Sequence, residues 1–598
     1  MGLVSANIWA LTGVLAVTVA TFLVGWRASR LASTTQDFLV ARRTVRSRRN
    51  AAAVSGEYLS AASFLGVAGL VLKDGADALW YPIGFTAGYL ALMLFVAAPL
   101  RRSGAYTLPD FCEARLGSRA LRGLAAIFVV FIGILYVVPQ LQAAGLALSR
   151  ILPVGTWVGS TAVAVIVIVN VFGGGMRAIT VVQAFQYWLK LFAIAAPTLV
   201  ICVLFIGNGG LRDSGTTTLS EALPPTFSTA STMTVETPVV LQVEDTVKFA
   251  ATGMIDGHPV NGSVYWSPGE HVVDSGTTMH FSKGSSVPVI AGAPADNASW
   301  FAPASSAGDV ISTYSLMLAL FLGTMGLPHV LVRFYTNPDG RAARRTTLHV
   351  LVLLALFYLF PIMLGALSRL YVPELLVTGK TDTAVLALPS RIVPGIGGQI
   401  LGAITTAGAF AAFLSTSSGL LVSVSGVLST DVLRGRVRDF RFATAVAGGV
   451  PLALAIAIRQ QDISLTVGMS FALAASTFSP ILLLGVWWRK LTWVGAVAGI
   501  VIGGGLTLTA LVISMISTQT GDWAPSWVNQ PALITVPAAF LAVLLVSKMT
   551  PAKIPPDVAQ VRLRMHAPDN LGLTRDRAVA SFGTAEERSR LADGRHRK

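Results

Sequence analysis

The stretch AVSGEYLSAASFLG, residues 53–66, lies inside one of the long apolar runs of this chain. The run is long enough to cross the roughly 30 Å hydrocarbon core of a bilayer. Yet Ser55, Gly56 and Glu57 stand where a spanning helix is normally apolar. Backbone groups freed by a break at membrane depth must line a buried cavity. The stretch therefore predicts a discontinuous membrane helix with a functional site at its break.

A second interruption of this kind, LGTMGLPH, covers residues 322–329. Gly323, Gly326 and Pro328 weaken the helix at a comparable depth. The two interruptions lie five apolar runs apart, at corresponding positions of two five-span halves of opposite orientation. This arrangement is typical of secondary transporters built from inverted repeats. Close packing of helices, which also favours glycine and serine, is the alternative interpretation.

The whole chain has the composition of a polytopic membrane protein. Of its 598 residues, 53% are hydrophobic and only 12% are charged, about half the share of roughly 25% in soluble domains. Two cysteines exclude a disulfide scaffold. We predict an all-α protein of about 13 transmembrane helices. The apolar runs lie at about 5–26, 51–72, 79–100, 120–149, 157–175, 179–206, 310–332, 347–371, 396–428, 442–458, 464–488, 491–516 and 530–547.

The net charge of +15 first suggests a nucleic-acid binder, but the positions of the charges favour a different explanation. Basic residues cluster after alternate apolar runs, such as Arg27, Arg42 and Arg43 after the first run and Arg333 and Arg341 after the seventh. Cytoplasmic loops of membrane proteins carry this excess of arginine and lysine. We therefore expect a multi-pass protein of the cell membrane with its N-terminus outside and its C-terminus in the cytoplasm. We expect the protein to be embedded in the lipid bilayer, and we expect no nucleic acid as a partner.

The segment 207–309 differs from the rest because it has no apolar span. It contains short stretches with the alternation of β-strands, namely Pro238–Val243, Ser263–Trp266 and Thr278–Phe281, separated by Gly, Pro and Ser. We predict a small extracytoplasmic β-rich insert. Its histidines, His258, His271 and His280, match no common zinc spacing, so no metal other than the coupling ion is expected.

Hydroxyl side chains in the ninth run could hold a cation. The run contains Ser415, Thr416, Ser417 and Ser418 in succession. Oxygen ligands suit a hard cation, and sodium would take its remaining oxygens from carbonyls freed at the first break. The alternative is that these hydroxyls bond to the carbonyls of their own helix, which is common.

A polar stripe marks one face of the sixth run, where Gln183 and Lys190 are seven residues apart. An intramembrane lysine is costly unless it faces the bundle interior or snorkels to the surface. Glu57 is the candidate partner, so we expect either a buried Glu57–Lys190 pair near the cation path or a Lys190 that extends toward the cytoplasm. Glu57, Gln183 and Lys190 are thus candidates for ion coupling.

Three motifs in this chain resemble the solute:sodium symporter family, and most closely its cation/acetate (monocarboxylate) branch. They are GEYLSAASFLG at residues 56–66, GTMGLPH at 323–329 followed by Arg333 and Phe334, and GGGM at 173–176. The resemblance extends from about residue 35 to 500. It implies a leucine-transporter-like 5+5 inverted-repeat core with one extra helix before it and two after it.

This resemblance divides the chain into six regions. They are an extra N-terminal helix with a basic cytoplasmic loop (1–50), a first five-helix repeat (51–206), the insert (207–309), a second five-helix repeat (310–488), two trailing helices (489–547) and a basic cytoplasmic tail expected to be disordered (548–598).

The resemblance also implies a sodium site between the first and eighth core helices. Its ligands fall on the carbonyls of Gly56, Leu59 and Ala412 and on the hydroxyls of Ser415 and Thr416. Sugar-transporting relatives carry an aspartate where this chain has Gln183, which puts a second sodium site in doubt.

The substrate is expected at the midplane between the two broken helices, where the positive ends of half-helices can hold a carboxylate. The contact candidates are Ser60, Ser63, Gln140, Thr324 and Gly326. Each of them could instead be a packing or kink residue.

Together these features predict a secondary active transporter that moves sodium and a small monocarboxylate, such as acetate, propionate or pyruvate, into the cell by alternating access. One alternative is proton-coupled uptake of a similar acid, with Glu57 involved. Another is a membrane sensor of transporter fold that acts with a separate signalling partner. The sequence shows no nucleophile with a positioned base, no phosphate-binding loop and no metal cluster, so we expect no enzyme activity and no organic cofactor. No obligatory protein partner is evident.

Overall fold

The computed structural model describes residues 7–29, 41–207, 223–303, 306–433, 437–458, 463–520 and 523–573. Helices dominate these ranges because a membrane offers no water to the backbone, so each spanning segment must satisfy its own N–H and C=O groups. The helices are α1 (Ile8–Ser29), α2 (Ser47–Tyr58), α3 (Val67–Asp74), α4 (Trp80–Phe95), α5 (Ala97–Arg102), α6 (Leu108–Leu116), α7 (Arg119–Ser149), α8 (Thr156–Gly173), α9 (Gly175–Gly207), α10 (Asn297–Phe301), α11 (Ala307–Gly326), α12 (Pro328–Phe334), α13 (Gly340–Tyr371), α14 (Glu374–Thr378), α15 (Ala384–Ile392), α16 (Gly395–Val427), α17 (Val437–Ala457), α18 (Ile463–Trp487), α19 (Trp493–Thr520), α20 (Ser526–Asn529), α21 (Ala532–Met549) and α22 (Val558–His566).

Twelve helical segments of the described ranges are long and apolar enough to cross a membrane, one fewer than the predicted thirteen. The difference lies in the predicted second span, 51–72. There the chain forms two half-helices, of which α2 is polar and α3 has only eight residues. The apolar part of this region is continuous with the next span, over Ala62–Arg102.

Both predicted helix breaks are confirmed. Leu59 (φ −71°, ψ 84°) ends α2, and a π-helical turn over Ala62–Gly66 leads into α3. Leu327 (φ −69°, ψ 117°) separates α11 from α12. Pro328 begins α12, a position where the missing N–H of proline would have had no helical partner. The helix α16 packs along α9 and α7, and it also contacts α2.

The insert forms one seven-stranded sheet, as the alternating stretches predict. The strands are β1 (Ser231–Thr234), β2 (Val239–Val243), β3 (Val247–Ile255), β4 (His258–Trp266), β5 (Gly269–Val273), β6 (Thr278–Phe281) and β7 (Val289–Ile290). Their order is β1-β6-β3-β5-β2-β7, β4 pairs with β3, and every pair is antiparallel. Phe249, Trp266 and Phe281 pack together on the buried face.

A tryptophan joins this sheet module to the helices. The indole Nε1 of Trp300, in α10, donates to the carbonyl oxygens of Val71 (2.8 Å) and Leu72 (3.2 Å) at the end of α3. The guanidinium of Arg369, in α13, lies 5.1 Å from the centre of the Trp300 ring. Gly75 (φ 60°) follows α3, and a Cβ there would lie 1.8 Å from the Trp300 carbonyl oxygen, so only glycine fits.

The tail after Lys548 differs from the prediction of a disordered segment, because its part up to residue 573 is folded. It contains α22, which packs against α5, and it buries Met565. The carboxylate of Asp569 accepts two hydrogen bonds from Arg102, of 2.9 and 3.0 Å. It also accepts from the backbone N–H groups of Gly340 (3.2 Å) and Arg341 (3.0 Å) at the start of α13. Residues 574–598 lie outside the described ranges.

The Asp569 contacts predict a pH-dependent attachment of the tail. The hydrogen bonds from Arg102, with those from the α13 backbone, hold the pKa of the Asp569 carboxyl below its ordinary value. The stabilisation is therefore complete above the unfolded pKa of about 4 and is lost as the pH falls through the lower folded value. At pH 7 we expect Asp569→Asn to weaken attachment by about 1 kcal/mol, measured as about fivefold faster amide hydrogen exchange in α22.

Asp557→Asn provides the control for this change, since Asp557 begins α22 without a side-chain cap. Equal exchange rates in α22 of the two variants would contradict the role given to Asp569.

Candidate cation and substrate site

The break between α2 and α3 faces α9 and α16, and glycine allows the helices to approach closely there. A Cβ on Gly56 would lie 2.2 Å from the carbonyl oxygen of Gln183 in α9. Because Gly56 has no side chain, α2 packs directly on α9, and its last carbonyls turn toward the space between α9 and α16.

Lys190 fills this space with its ammonium group. Its Nζ donates hydrogen bonds to the carbonyl oxygens of Gly56 and Leu59 (2.8 Å) and to the hydroxyl of Ser415 (2.9 Å). The side chain has no solvent exposure. A lysine ammonium has three donors and no acceptor, so all three N–H groups have partners.

The structure brings together the residues that were predicted to bind sodium. The Gly56 and Leu59 carbonyls and the Ser415 hydroxyl surround the Lys190 ammonium, as described above. The Ser415 hydroxyl also lies 3.1 Å from the Ala412 carbonyl oxygen. The Thr416 hydroxyl points elsewhere and donates to the backbone oxygen of Glu57 (2.6 Å). Thus Lys190 takes up three of the five predicted ligands.

Glu57 pairs with an arginine and not with Lys190, which corrects the first of the two interpretations offered for these residues. The Nε of Arg333, in α12, donates to Glu57 Oε2 at 2.5 Å. Both side chains are buried, with 1% of Arg333 and 2% of Glu57 exposed. Lys190 also does not extend to the cytoplasm, since its ammonium is held inside the bundle by α2 and α16.

Arg333 connects the ion pair to the cation site. Its guanidinium donates to the Thr180 hydroxyl (2.9 Å), to the Met176 sulfur (3.0 Å) and to Gln183 Oε1. Gln183 Nε2 in turn donates to the Ser415 backbone oxygen (2.8 Å). Gln183 is therefore a link between Arg333 and α16.

Sequence reasoning missed the role of Arg333, Thr180 and Met176. It counted Arg333 among the cytoplasmic loop arginines, because this residue follows an apolar run. The available signal was its position five residues after Pro328, which begins a new helix. A helix that begins at Pro328 and runs to Phe334 includes Arg333 and keeps its side chain inside the bundle.

All five predicted substrate contacts are engaged inside the protein. The hydroxyl of Thr324 lies 2.9 Å from that of Tyr58, and the hydroxyl of Ser63 lies 2.9 Å from that of Tyr358. A Cβ on Gly326 would lie 2.4 Å from the Ala474 carbonyl oxygen, which indicates close packing. Gln140 Oε1 accepts a hydrogen bond from the backbone N–H of Ala61 (2.9 Å). It thus provides a partner for an N–H group at the point where the chain becomes helical again after the break. The fifth residue, Ser60, is buried at the break and its side chain forms a hydrogen bond with Tyr136.

Among the buried polar side chains without a hydrogen-bond partner in the described residues, which also include Ser55 and Tyr89, two carry nitrogen donors and lie near the break. One is Gln140, whose Nε2 is free, and the other is His329, with both ring nitrogens free. His329 is 1% exposed. Tyr136 lies one helical turn before Gln140, and its ring centre is 5.2 Å from that of His329. Phe471, 6.0 Å from Tyr136, adds an apolar wall.

Fold and site together define a class of protein: a polytopic membrane transporter whose discontinuous helices enclose a central polar site. The sequence profile described as the sodium:solute symporter family matches residues 38–254 and 288–503. The chain belongs to this family, as its motifs predict.

Known proteins of similar sequence are symporters and transporters. The chain is 27% identical over 574 residues to the uncharacterized symporter YwcA of Bacillus subtilis (strain 168), covering 92% of this chain and 97% of the relative. It is 28% identical over 549 residues to a monocarboxylic acid transporter of Corynebacterium glutamicum, covering 88% of each.

A solved structure supports the fold. The substrate-bound, outward-open state of a Na⁺-coupled sialic acid symporter superposes with a TM-score of 0.59 at 13% identity, covering 91% of this chain and 98% of that one. The leucine-transporter-like fold predicted from the motifs is confirmed.

Proposed function

We propose that this protein is a secondary active symporter that carries a small monocarboxylate, of the acetate, propionate or pyruvate class, into the cell together with a cation. The observation that carries the proposal is the pair of unpartnered buried donors beside the helix break, on Gln140 and His329. Alternating access would open this site first to one side of the membrane and then to the other.

The donors fit a carboxylate because of the way Gln140 is oriented. Its oxygen accepts from the Ala61 N–H, which turns its NH₂ group away from that bond. A buried donor without a partner costs about 1–3 kcal/mol. An ionised carboxylate is acceptor-only, so it can bond to the Gln140 amide and to the N–H of His329, while Phe471 and Tyr136 contact a short apolar group.

The charges of the interior also favour an anion. Glu57 and Arg333 neutralise one another, which leaves the ammonium of Lys190 as a single positive charge in this network. A charge at membrane depth is costly unless it is compensated. A substrate of charge −1 therefore balances the network, whereas a neutral sugar would not.

The relatives support the same substrate class, since one of them is a monocarboxylic acid transporter. Membership of the family would make sodium the expected coupling ion, but Lys190 occupies three of the oxygens that were predicted to bind it. We further propose the orientation that the basic loops predict, with the N-terminus outside, the C-terminus in the cytoplasm and the sheet module on the outer face of the cell membrane.

Exchange of labelled acetate, propionate and pyruvate in proteoliposomes tests this function, because exchange requires no ion gradient. We expect His329→Leu to raise KM by about 10- to 100-fold, since a hydrogen bond to a charged group contributes about 1.5–3 kcal/mol. The thermal stability should stay equal or rise, because the change removes polar atoms that have no partner in the protein.

The half-buried His349, in α13, provides the matched control, and His349→Leu should leave KM unchanged. Absence of exchange for every monocarboxylate would refute the proposed function. An unchanged KM in His329→Leu would remove this residue from the site.

A further inference from the structure

We propose that the ammonium of Lys190 replaces the sodium ion in this chain, so that a proton carried on Lys190 is the coupling ion. This inference rests on the proposed function and names the ion that drives it. Family resemblance assigns the oxygens around Lys190 to sodium. In this structure they hold the Lys190 side chain, which carries a positive charge of its own.

The ammonium of Lys190 already occupies the predicted cation position. The Lys190 nitrogen is within hydrogen-bond distance of the Gly56 and Leu59 carbonyls and of the Ser415 hydroxyl. A cation that used these oxygens would have to stand where the nitrogen stands. Sodium and the ammonium therefore exclude one another, and the Lys190 nitrogen, unlike a free ion, stays covalently attached at every moment of the cycle.

The charged and neutral forms of Lys190 differ in the number of their N–H groups. The ammonium has three N–H groups for three acceptors, whereas a neutral amine has two N–H groups and a lone pair. Loss of the proton thus removes one hydrogen bond and turns a lone pair toward an oxygen atom. The contact of α9 with the α2 break and with α16 is complete only in the protonated form, so protonation controls the helices that enclose the substrate.

The charged groups around Lys190 pair with one another. The carboxylate that acts on it electrostatically is that of Glu57 on α2, and Glu57 pairs with Arg333 of α12. On its own helix, the Tyr187 hydroxyl donates to the Leu353 carbonyl oxygen of α13. The side chains of α16 that lie next to Lys190, Ser415 among them, are uncharged. Neutral oxygens hold the ammonium directly, so loss of its proton breaks no direct ion pair.

Tyrosines and a histidine complete the titratable groups of the neighbouring helices. Tyr58 lies on α2, Tyr136 on α7, His329 on α12 and Tyr358 on α13, and each is buried. The described contacts of Lys190 include none of these four side chains. The proton therefore exchanges with water whenever the site opens.

The proton balance is simple. On the outer side the amine takes one proton from water as the carboxylate binds. On the inner side the ammonium returns that proton to water as the carboxylate leaves. One proton and one carboxylate cross together, and no other reactant is consumed.

The test compares two gradients imposed separately on proteoliposomes of the full chain with labelled acetate and pyruvate. With sodium absent, an acidic exterior should drive uptake at least tenfold above the rate at equal pH. A sodium gradient at equal pH should add no more than twofold. Uptake that needs the sodium gradient and ignores the pH gradient would overturn the inference.

Lys190→Met tests the residue itself, because methionine keeps an unbranched side chain without a charge. It should lose at least tenfold of the uptake driven by the pH gradient, and the uptake that remains should no longer respond to that gradient. Lys548→Met, at an exposed position at the end of α21, is the matched control and should retain the uptake driven by the pH gradient. Full pH-driven uptake in Lys190→Met would overturn the inference.

The results also separate this inference from the proposed function. Exchange of monocarboxylate together with sodium-driven uptake would refute only the role of Lys190. Absence of exchange in the unmodified protein would refute both. If Lys190→Met proves unable to fold, the comparison of gradients on the unmodified protein still decides the question.

Discussion

Replacing Arg333 by methionine is expected to lower the free energy of unfolding by about 3–5 kcal/mol, because it leaves Glu57 as a buried charge without its partner. The pair is almost completely buried, and the guanidinium also holds Gln183 and Thr180 in α9. The measurement is thermal unfolding of the purified protein in detergent, followed by the loss of the monodisperse peak in size-exclusion chromatography.

Two further variants make this prediction specific. Arg102→Met breaks the partly exposed pair with Asp569 and should cost no more than about 1 kcal/mol. Arg333→Met combined with Glu57→Met should recover part of the loss, because both charges are then gone. Equal stability of Arg333→Met and Arg102→Met would contradict the importance of the buried pair.

Gly56→Ala is expected to have a large effect on transport, although it adds only one carbon atom. Its Cβ would lie 2.2 Å from the Gln183 carbonyl oxygen and 3.0 Å from the carbon of that group, and both are backbone atoms that cannot rotate away. Overpacking of this kind costs about 1–3 kcal/mol. Because α2 must also move away from α9, the Gly56 carbonyl leaves Lys190, and we expect transport to fall about 100-fold.

Gly505→Ala in α19 is the matched control, since no atom lies within 4 Å of its would-be Cβ. It should leave transport intact and stability unchanged or slightly higher. Uptake rates of both variants in proteoliposomes check the prediction. Transport by Gly56→Ala at the wild-type rate would contradict the prediction, because it would show that α2 and α9 can move apart without loss of function.

The helix breaks could be predicted from sequence because their causes are local. Proline at 328 and polar residues around Gly56 stand inside runs that are otherwise apolar, and a membrane makes such irregularities conspicuous. The strands of the insert were predictable for the same reason, since alternation along β2 and β6 is visible in the residues themselves.

The partners of the charged residues could not be predicted in this way. Lys190 was assigned to Glu57 because these were the evident charges within the apolar runs, whereas Arg333 had been placed in a loop. Which of two cations meets Glu57 depends on how α9 and α12 are set around α2, and no local pattern specifies that. The folded part of the tail was missed for a similar reason, because Asp569 is stabilised by Arg102, from a distant part of the chain.

The attachment of the sheet module through Trp300 has a practical consequence for imaging. The indole is bonded to the end of α3, and its ring lies against Arg369 of α13, so the sheet keeps a fixed orientation to one half of the first broken helix. An antibody fragment raised against the sheet would stand outside the detergent micelle as a rigid fiducial. Membrane helices inside a micelle offer few features for particle alignment. The bound fragment would supply such a feature and make electron cryo-microscopy of this transporter practicable.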